Sequence, residues 1–450
     1  MCPVGELTFD QALEFLETAL TFGINPSLNG IRALTAALDA PQDAFASMQV
    51  TGTNGKTSVT RITAALLSAH GERTGTYTSP HLDSYTERIA VDGVAVSEAE
   101  FAAAVSAVRG AALGLARHHA ESLGLDPESL DSAHTEFELL TAAALWHFRQ
   151  AACTWASLEV GMGGRWDATS IVSPRVAVVT GVALDHTERL GVTREEIAAD
   201  KAHIIKPGSI AVLGPGCSGL DDIFANRLNE TGADVVRVGL AEDDVAWRVT
   251  AVPDAPGGWT WLDVYGLFDT YDGLAVRAPA YQAPNVATAI AAVEAALGRA
   301  LSADAVRAVL HESTFPGRFE LVRREPAVVI DGAHNPQAAD VLAEAITDAF
   351  GARKPVVVLG ILRDKDAEGI VRALAPVSSA IICTRNASSR CLDPEDLARV
   401  VEGITGIRPP VSPDVTSAID LAVELASATS TGVVVTGSLY TAGEARVSAE

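Results

Sequence analysis

Cysteine is scarce and unpatterned. Cys2, Cys153, Cys217, Cys383 and Cys391 form an odd set with no C-x-x-C pair. That argues against a disulfide framework or a zinc site and fits a reducing compartment. Aromatic residues are few, at 5% of the chain, and no apolar run approaches the roughly 20 residues that cross a bilayer. The apolar N-terminal stretch Leu7–Leu20 is broken by Asp10, Glu14 and Glu17. It reads as an amphipathic helix and lacks the basic start and unbroken apolar centre of a secretory leader. Basic charge is also short: 33 Lys and Arg stand against 57 Asp and Glu, a formal net charge of −24. Such a surface repels nucleic acid and anionic membranes, so neither is expected as a partner. A polyanionic substrate would need local basic groups. These exclusions leave a soluble, cytoplasmic protein, expected to be a monomer, that works on small molecules.

What is present is ample apolar residue, 48% of a 450-residue chain, more than one core uses, so two domains are expected. Val- and Ile-rich runs mark strands at Ser47–Gly52, Ala156–Val160, Val176–Val182 and Ile210–Gly214. A later series lies at Ala327–Asp331, Val356–Gly360, Ala380–Thr384 and Gly432–Gly437. Between them, sets such as Val59, Ile62, Leu66 and Phe137, Leu140, Ala144, Phe148 recur at helical spacing. Continuous apolar strands with intervening helices imply an α/β fold whose parallel sheet is covered on both faces. The segment Trp247–Ala278 alternates and carries Gly-Gly and Asp-Gly turn signals, so small antiparallel strands are expected there. A boundary near Glu312–Pro316 divides a domain over residues 1–314 from one over 315–450. The expected architecture is an N-terminal, doubly wound, mostly parallel P-loop domain with a small antiparallel sheet. A smaller Rossmann-like α/β domain follows it.

Most polar motifs follow a strand, where ligands of such sheets sit. Gly52-Thr53-Asn54-Gly55-Lys56-Thr57 joins a strand to a helix. Glycines admit phosphate oxygens to backbone N–H groups, and the helix N-terminus favours negative charge. Lys56 would reach the outer phosphates, and the Thr57 hydroxyl could join a Mg²⁺ shell. Val50 stands where the generic loop has its first glycine, so this is a shortened variant. Glu159, at a strand end before Gly161-Met162-Gly163-Gly164, is a natural Mg²⁺ ligand or a paired structural carboxylate. Asp185-His186 closes the next strand; the imidazole could bind a metal or only hold a hydrogen bond. Lys201, among Glu195, Glu196 and Asp200, reads equally as an ion-pair partner or as a buried lysine that reacts with CO₂. In the second series Asp331 could bond a ribose and His334 could stack on a base, or the segment could simply cap a helix. Arg318 lies at the inferred hinge, where it could clamp a phosphate.

Taken together these segments resemble the folylpolyglutamate synthase/dihydrofolate synthase family, within the wider group of Mur-ligase-like enzymes. The resemblance covers nearly the whole chain. It rests on Gly52–Ser58, Thr78–Leu82, Glu87-Arg88-Ile89, Phe137-Glu138, Glu159–Thr169, Leu184–Thr187, Lys201-Ala202 and Ile205–Gly208. It continues through Gln282 with Asn285, Pro316-Gly317-Arg318, Asp331–Pro336, Lys365-Asp366 and Thr436–Tyr440. The family implies that Ser79, Glu159 and His186 hold Mg²⁺, with Thr57 near the nucleotide-bound ion. It implies ATP binding by Asn54, Gly55, Lys56, Thr57, Asn285, Arg318, Asp331 and His334, and catalytic roles for Lys56, His186, Lys201 and Arg318. Lys201 matches the family's carbamylated lysine. Pterin contacts are implied for Thr135, Phe137, Glu138, Trp166, Asp167 and Ala168, and for the loop from Ser27 to Arg32. The chain departs from the family where Thr57 replaces a common glycine, Ser170 a common asparagine and Tyr281 a common histidine.

The implied reaction is ATP- and Mg²⁺-dependent ligation of L-glutamate to dihydropteroate and to folate glutamates through an acyl phosphate. Two alternatives stand beside it. A Mur-type ligase acting on a cell-wall precursor usually carries a separate domain before the loop, and only about fifty residues precede it here. A P-loop switch would use ATP without chemistry, which leaves Glu159, His186 and Lys201 unexplained.

Overall fold

The computed structural model describes residues 6–19, 26–123, 134–239 and 243–449; Cys2 and Leu20, named above, lie outside them. Short β-branched runs form strands because such side chains pack well on a pleated, doubly covered surface. Eleven strands make one sheet. They are β1 (Ala46–Thr51), β2 (Thr74–Tyr77), β3 (Ile89–Val91), β4 (Val94–Ala95), β5 (Trp155–Glu159) and β6 (Val176–Gly181). Then come β7 (Ile210–Gly216), β8 (Asp234–Gly239), β9 (Val245–Ala251), β10 (Thr260–Tyr265) and β11 (Thr270–Val276). Their spatial order is β11-β10-β9-β8-β7-β6-β1-β5-β2-β3-β4. From β9 to β2 the neighbours are parallel, and the outermost strands at both edges are antiparallel. The antiparallel strands are continuous with the large sheet, joined to it by the short parallel pairing of Val238 with Val245 and Gly239 with Ala246.

A second sheet contains β12 (Glu320–Arg324), β13 (Ala327–Ile330), β14 (Val356–Leu359), β15 (Ala380–Thr384), β16 (Val411–Ser412) and β17 (Val433–Thr436). Its order is β12-β13-β17-β14-β15-β16, parallel except at the edge strand β12. The chain passes between the sheets after the helix Ala303–Glu312.

Both faces of the large sheet are covered, as the continuous apolar strands require. Val50, Val178 and Val212 pack with Val59, Ile62, Val286 and Ile290 of the helices Lys56–Ala69 and Ala283–Leu297. Val160, Ala177 and Val179 meet Ile197, Ala198 and Ile204 in a separate cluster. The helix Glu98–Leu123 is long and apolar enough over Glu98–His118 to cross a membrane. Its Phe101, Val105 and Val108 are instead buried with Leu16, Ile31 and Leu139 of three neighbouring helices, so protein already covers this face. The four described cysteines are buried free thiols.

Phe148 shows how tightly this layer is filled. It is fully buried, edge-on to Phe45 with ring centroids 6.1 Å apart, and its ring occupies the space a Gly75 side chain would need. Phe148→Ala should therefore cost about 3–5 kcal/mol. Equilibrium denaturation measures this, and a loss below about 1 kcal/mol would mean the layer can collapse into the gap.

Candidate active site

The loop after β1 is fixed before any ligand arrives. Gly52 (φ +152°) cannot carry a side chain, because a Cβ would collide with Thr180 Oγ1; at Gly55 (φ +85°) one would strike Asn285 Oδ1. The Thr180 hydroxyl donates to the Asn54 carbonyl at 2.6 Å, and the Thr53 amide donates to the Gly181 carbonyl at 2.9 Å. Lys56 Nζ donates to the carbonyls of Gly52 (3.0 Å) and Thr53 (3.1 Å). Lys201, 3% exposed, donates to the same Gly52 carbonyl at 2.9 Å. Two ammonium groups thus share one oxygen. Burial, and then the charge of Lys56, bring the Lys201 pKa down to about 7.

Glu159 closes β5 beside this loop. Its Oε1 accepts from the Thr57 hydroxyl at 2.9 Å and its Oε2 from the Ser79 amide at 3.2 Å. Burial raises its pKa, with Lys56 opposing. His186, at the cleft mouth with φ +50°, is lowered to about 4 by desolvation, with the Lys365 and Lys56 cations contributing and Asp185 opposing. It is therefore a neutral imidazole at pH 7. Among the described residues no three His, Cys, Asp or Glu side chains gather into a metal cage. Mg²⁺ does not need one, since it is held by one or two carboxylates, substrate phosphates and retained waters. A buried carboxylate with Thr57 and Ser79 beside it fits that ion.

The facing wall belongs to the second sheet. Asp331, 4% exposed, accepts from the Tyr281 hydroxyl (2.9 Å) and from the amides of Phe319 and Ala333 (each 2.8 Å). Arg318 lies against Gly332, where a side chain would displace its guanidinium. The two halves are tied across the cleft. Lys365 Nζ lies 2.5 Å from Asp185 Oδ1, both side chains under 10% exposed, and His334 Nε2 lies 3.5 Å from Asp185 Oδ2. Burial pushes the Asp185 carboxyl up, but the His334 hydrogen bond and the neighbouring cations outweigh it and hold it well below the usual range. At neutral pH His186 carries no charge, so Lys365 supplies the lasting attraction. Asn54 of the loop also donates to Gln337 at 3.0 Å and accepts from Asn335 at 3.1 Å.

Between these walls lies a cavity of about 680 Å³. Asn54, Gly55, Lys56, Thr57, Ser79, Glu159, His186, Asn285, Arg318, Asp331 and His334 all line it. Lys201 does not line it and reaches the loop through its bond to the Gly52 carbonyl. The residues named for the pterin do not line this cavity. Thr135 and Glu138 form a reciprocal cap on the helix Glu136–Gln150, and Phe137 packs on Gly161, itself a cleft residue. Asp167 accepts from the Met162 and Thr169 amides (each 3.0 Å), Ala168 is buried, Trp166 is 45% exposed under Arg165, and Arg32 is exposed. Sequence reasoning gave no role to Lys365, Tyr281, Asn335 or Gln337. Their position after strand ends or at the start of a helix was the available signal.

A phosphate loop, a carboxylate beside it and a second α/β unit closing over both define a nucleotide-dependent ligase of the Mur type. Residues 50–293 match the Mur ligase middle domain and residues 317–439 the Mur ligase, glutamate ligase domain. The chain is 37% identical to the dihydrofolate synthase/folylpolyglutamate synthase of Mycobacterium tuberculosis over 447 residues, covering 94% of this chain and 90% of the relative. Among solved structures, Mycobacterium tuberculosis folylpolyglutamate synthase complexed with ADP superposes with TM-score 0.89 at 37% identity, covering 98% of each chain. E. coli FolC in complex with DHPP and ADP gives 0.84 at 31%, covering 97% and 96%. The chain belongs to the dihydrofolate synthase/folylpolyglutamate synthase family of ATP-dependent ligases.

The Asp185–Lys365 pair makes closure testable. Lys365→Met leaves a buried carboxylate without its cation, which typically costs 3–5 kcal/mol, and the halves should separate. Small-angle scattering should show a larger radius of gyration for the variant; an unchanged radius would mean other contacts hold the cleft shut.

Proposed function

We propose that the protein ligates L-glutamate to dihydropteroate and to folate glutamates, using ATP and Mg²⁺, by way of an acyl phosphate. The observation that carries this reading is the pairing of Lys56 and Glu159 from one half with Arg318 and Asp331 from the other around a single cavity. A carboxylate is a poor electrophile because oxide is a poor leaving group. Its oxygen attacks the γ-phosphorus of ATP, the bond to ADP breaks, and the acyl phosphate has a leaving group worth the name. The glutamate nitrogen then attacks the acyl carbon; the C–O bond to phosphate breaks, and amide, phosphate and a proton result. Lys56 and Arg318 are placed to neutralise charge on the transferring phosphoryl group. Thr57, Ser79, Glu159 and neutral His186 are the residues that would hold the metal, which supplies charge neutralisation at the phosphates. Asn285, Asp331 and His334 bind and orient the nucleotide. The closed cleft excludes the water that would hydrolyse an acyl phosphate. Thr135–Glu138 and Trp166–Ala168, grouped behind Gly161, hold the pterin end. Residues 1–314 and 315–450 act as two domains of a cytoplasmic monomer.

Lys201 is the carbamylated residue in this reading. Only a neutral amine adds CO₂, and a lysine brought to about 7 offers one at physiological pH. The carbamate replaces a cation–cation contact with an anion beside Lys56. Lys201→Ala should lose at least about 100-fold in kcat and regain part of it with a short carboxylic acid; unaltered kcat would end the idea. With ¹³C-bicarbonate, the carbamate signal should grow as pH rises through about 7, because the protonated amine that dominates below this value cannot react.

The reading itself is checked by ADP release that requires Mg²⁺ and glutamate, with dihydropteroate and a reduced folate monoglutamate tested separately and the products weighed. Turnover with both gives the bifunctional enzyme, and with one the narrower activity. Silence with both, while a cell-wall precursor supports turnover, would replace it.

A further inference from the structure

Arg61 takes no part in the proposed reaction. It lies four residues after Thr57 on the same face of the helix Lys56–Ala69, roughly 6 Å along the axis. It is half-buried, and among the described residues its guanidinium makes no hydrogen bond and no ion pair. The neighbouring charges are engaged elsewhere. Glu87 accepts three backbone amides, from Leu82 (3.1 Å), Asp83 and Ser84 (each 2.9 Å). Arg446 pairs with Asp83 at 2.6 Å and Glu320 at 3.2 Å, and Glu159 is held by Thr57 and Ser79. Burial lowers the Arg61 pKa, Glu159 and Glu87 oppose this, and Arg318 adds to it. The group is thus desolvated without a partner, an arrangement that is costly unless something completes it.

Arg61 faces a small cavity of about 30 Å³, bounded by Thr57 on its own helix, Pro80 and Glu87 of the loop after β2, and Phe315 and Arg318 of the connection between the sheets. Thr57 and Arg318 also line the large cleft, so the two spaces adjoin. A water needs about 10–15 Å³ of such space. The cavity therefore admits two oxygens of an anion and not a nucleotide. Arg318 is almost as free: among the described residues its guanidinium makes one long contact, 3.3 Å to the Gly317 carbonyl. Two guanidinium groups that bind carboxylate or phosphate edges in fork geometry thus border one small space next to the proposed phosphoryl-transfer position.

We propose that Arg61, with Arg318, forms a second oxyanion site that receives either a carboxylate of the incoming amino acid or the phosphate released after amide formation. The identity of those anions rests on the proposed ligase reaction; the existence of the site does not. A carboxylate held here would fix the glutamate near the acyl phosphate. A phosphate held here would be drawn off the acyl carbon as its C–O bond breaks. Glu87 and Glu159 weigh against any anion, but the former is saturated by backbone donors and the latter stands in the metal position.

The test is calorimetric titration of inorganic phosphate, and separately of L-glutamate, into enzyme loaded with Mg²⁺ and ADP. Wild type should bind at least one of them, and Arg61→Met should weaken that binding at least tenfold while Arg61→Lys, a point charge without the fork, recovers part of it. ADP affinity and the thermal midpoint report that each variant is folded. Should Arg61→Met not fold, Arg61→Gln takes its place. Loss of phosphate binding assigns the product, and loss of glutamate binding assigns the substrate. Equal affinities in wild type and a folded variant, or no binding of either anion to wild type, would overturn the site. Anion binding by an enzyme that never ligates glutamate would overturn the proposed reaction and leave the site standing.

Discussion

Two lysine ammonium groups directed at one backbone oxygen are the constraint around which this cleft is organised. Charges about 4 Å apart repel by on the order of 4 kcal/mol at an effective dielectric of 20. Lys56 and Lys201 both donate to the Gly52 carbonyl, so cationic charge gathers at the loop, with Glu159 and Asp185 as the nearest carboxylates acting on Lys56. The remaining architecture answers that excess. Glu159 sits at the end of the adjacent strand, and Gly52 and Gly55 let Thr180 and Asn285 close on the loop. The burial that raises the cost of charge on Lys201 also leaves its amine neutral enough to react. This local gathering of cations draws anions to the cleft of a chain whose overall net charge is −24.

Closure is the second half of the same design. Asp185 follows β6 on one side, and Lys365 follows β14 on the other; their contact brings Asp331 and Arg318 over the loop. Asn54 reports the same closure from within the phosphate loop, since its amide bonds both Asn335 and Gln337. Loop conformation and domain position are therefore coupled through one side chain. An acyl phosphate survives only where water is kept out, so this coupling serves the chemistry.

Much of this was legible before the structure. The long apolar strands β1, β5, β6 and β7 are buried on both faces and announce themselves by composition. The alternating segment Trp247–Ala278 also announced its edge strands β9, β10 and β11, but other short or charged strands did not. β2 is four residues long with an internal glycine, three of the five residues of β12 are charged, and β8 begins with Asp234, so none shows a continuous apolar run. The motif residues after strands were legible because ligand cradles need unusual residue types at fixed spacing. Long-range partners were not. Nothing local in Asp185 announces Lys365, 180 residues away, and Arg61 looks like any helical arginine until its surroundings are seen. Asp167 shows the opposite case: a motif carboxylate whose oxygens the structure places on its own loop.

The central claim is that phosphate passes through the substrate's own carboxylate. It is tested most directly with dihydropteroate, or a folate monoglutamate, labelled with ¹⁸O in the reacting carboxyl group. After turnover with ATP, Mg²⁺ and glutamate, the released inorganic phosphate should carry one ¹⁸O from that carboxylate. Unlabelled phosphate from an enzyme that still makes the amide would contradict the account and require a different activation of the acid.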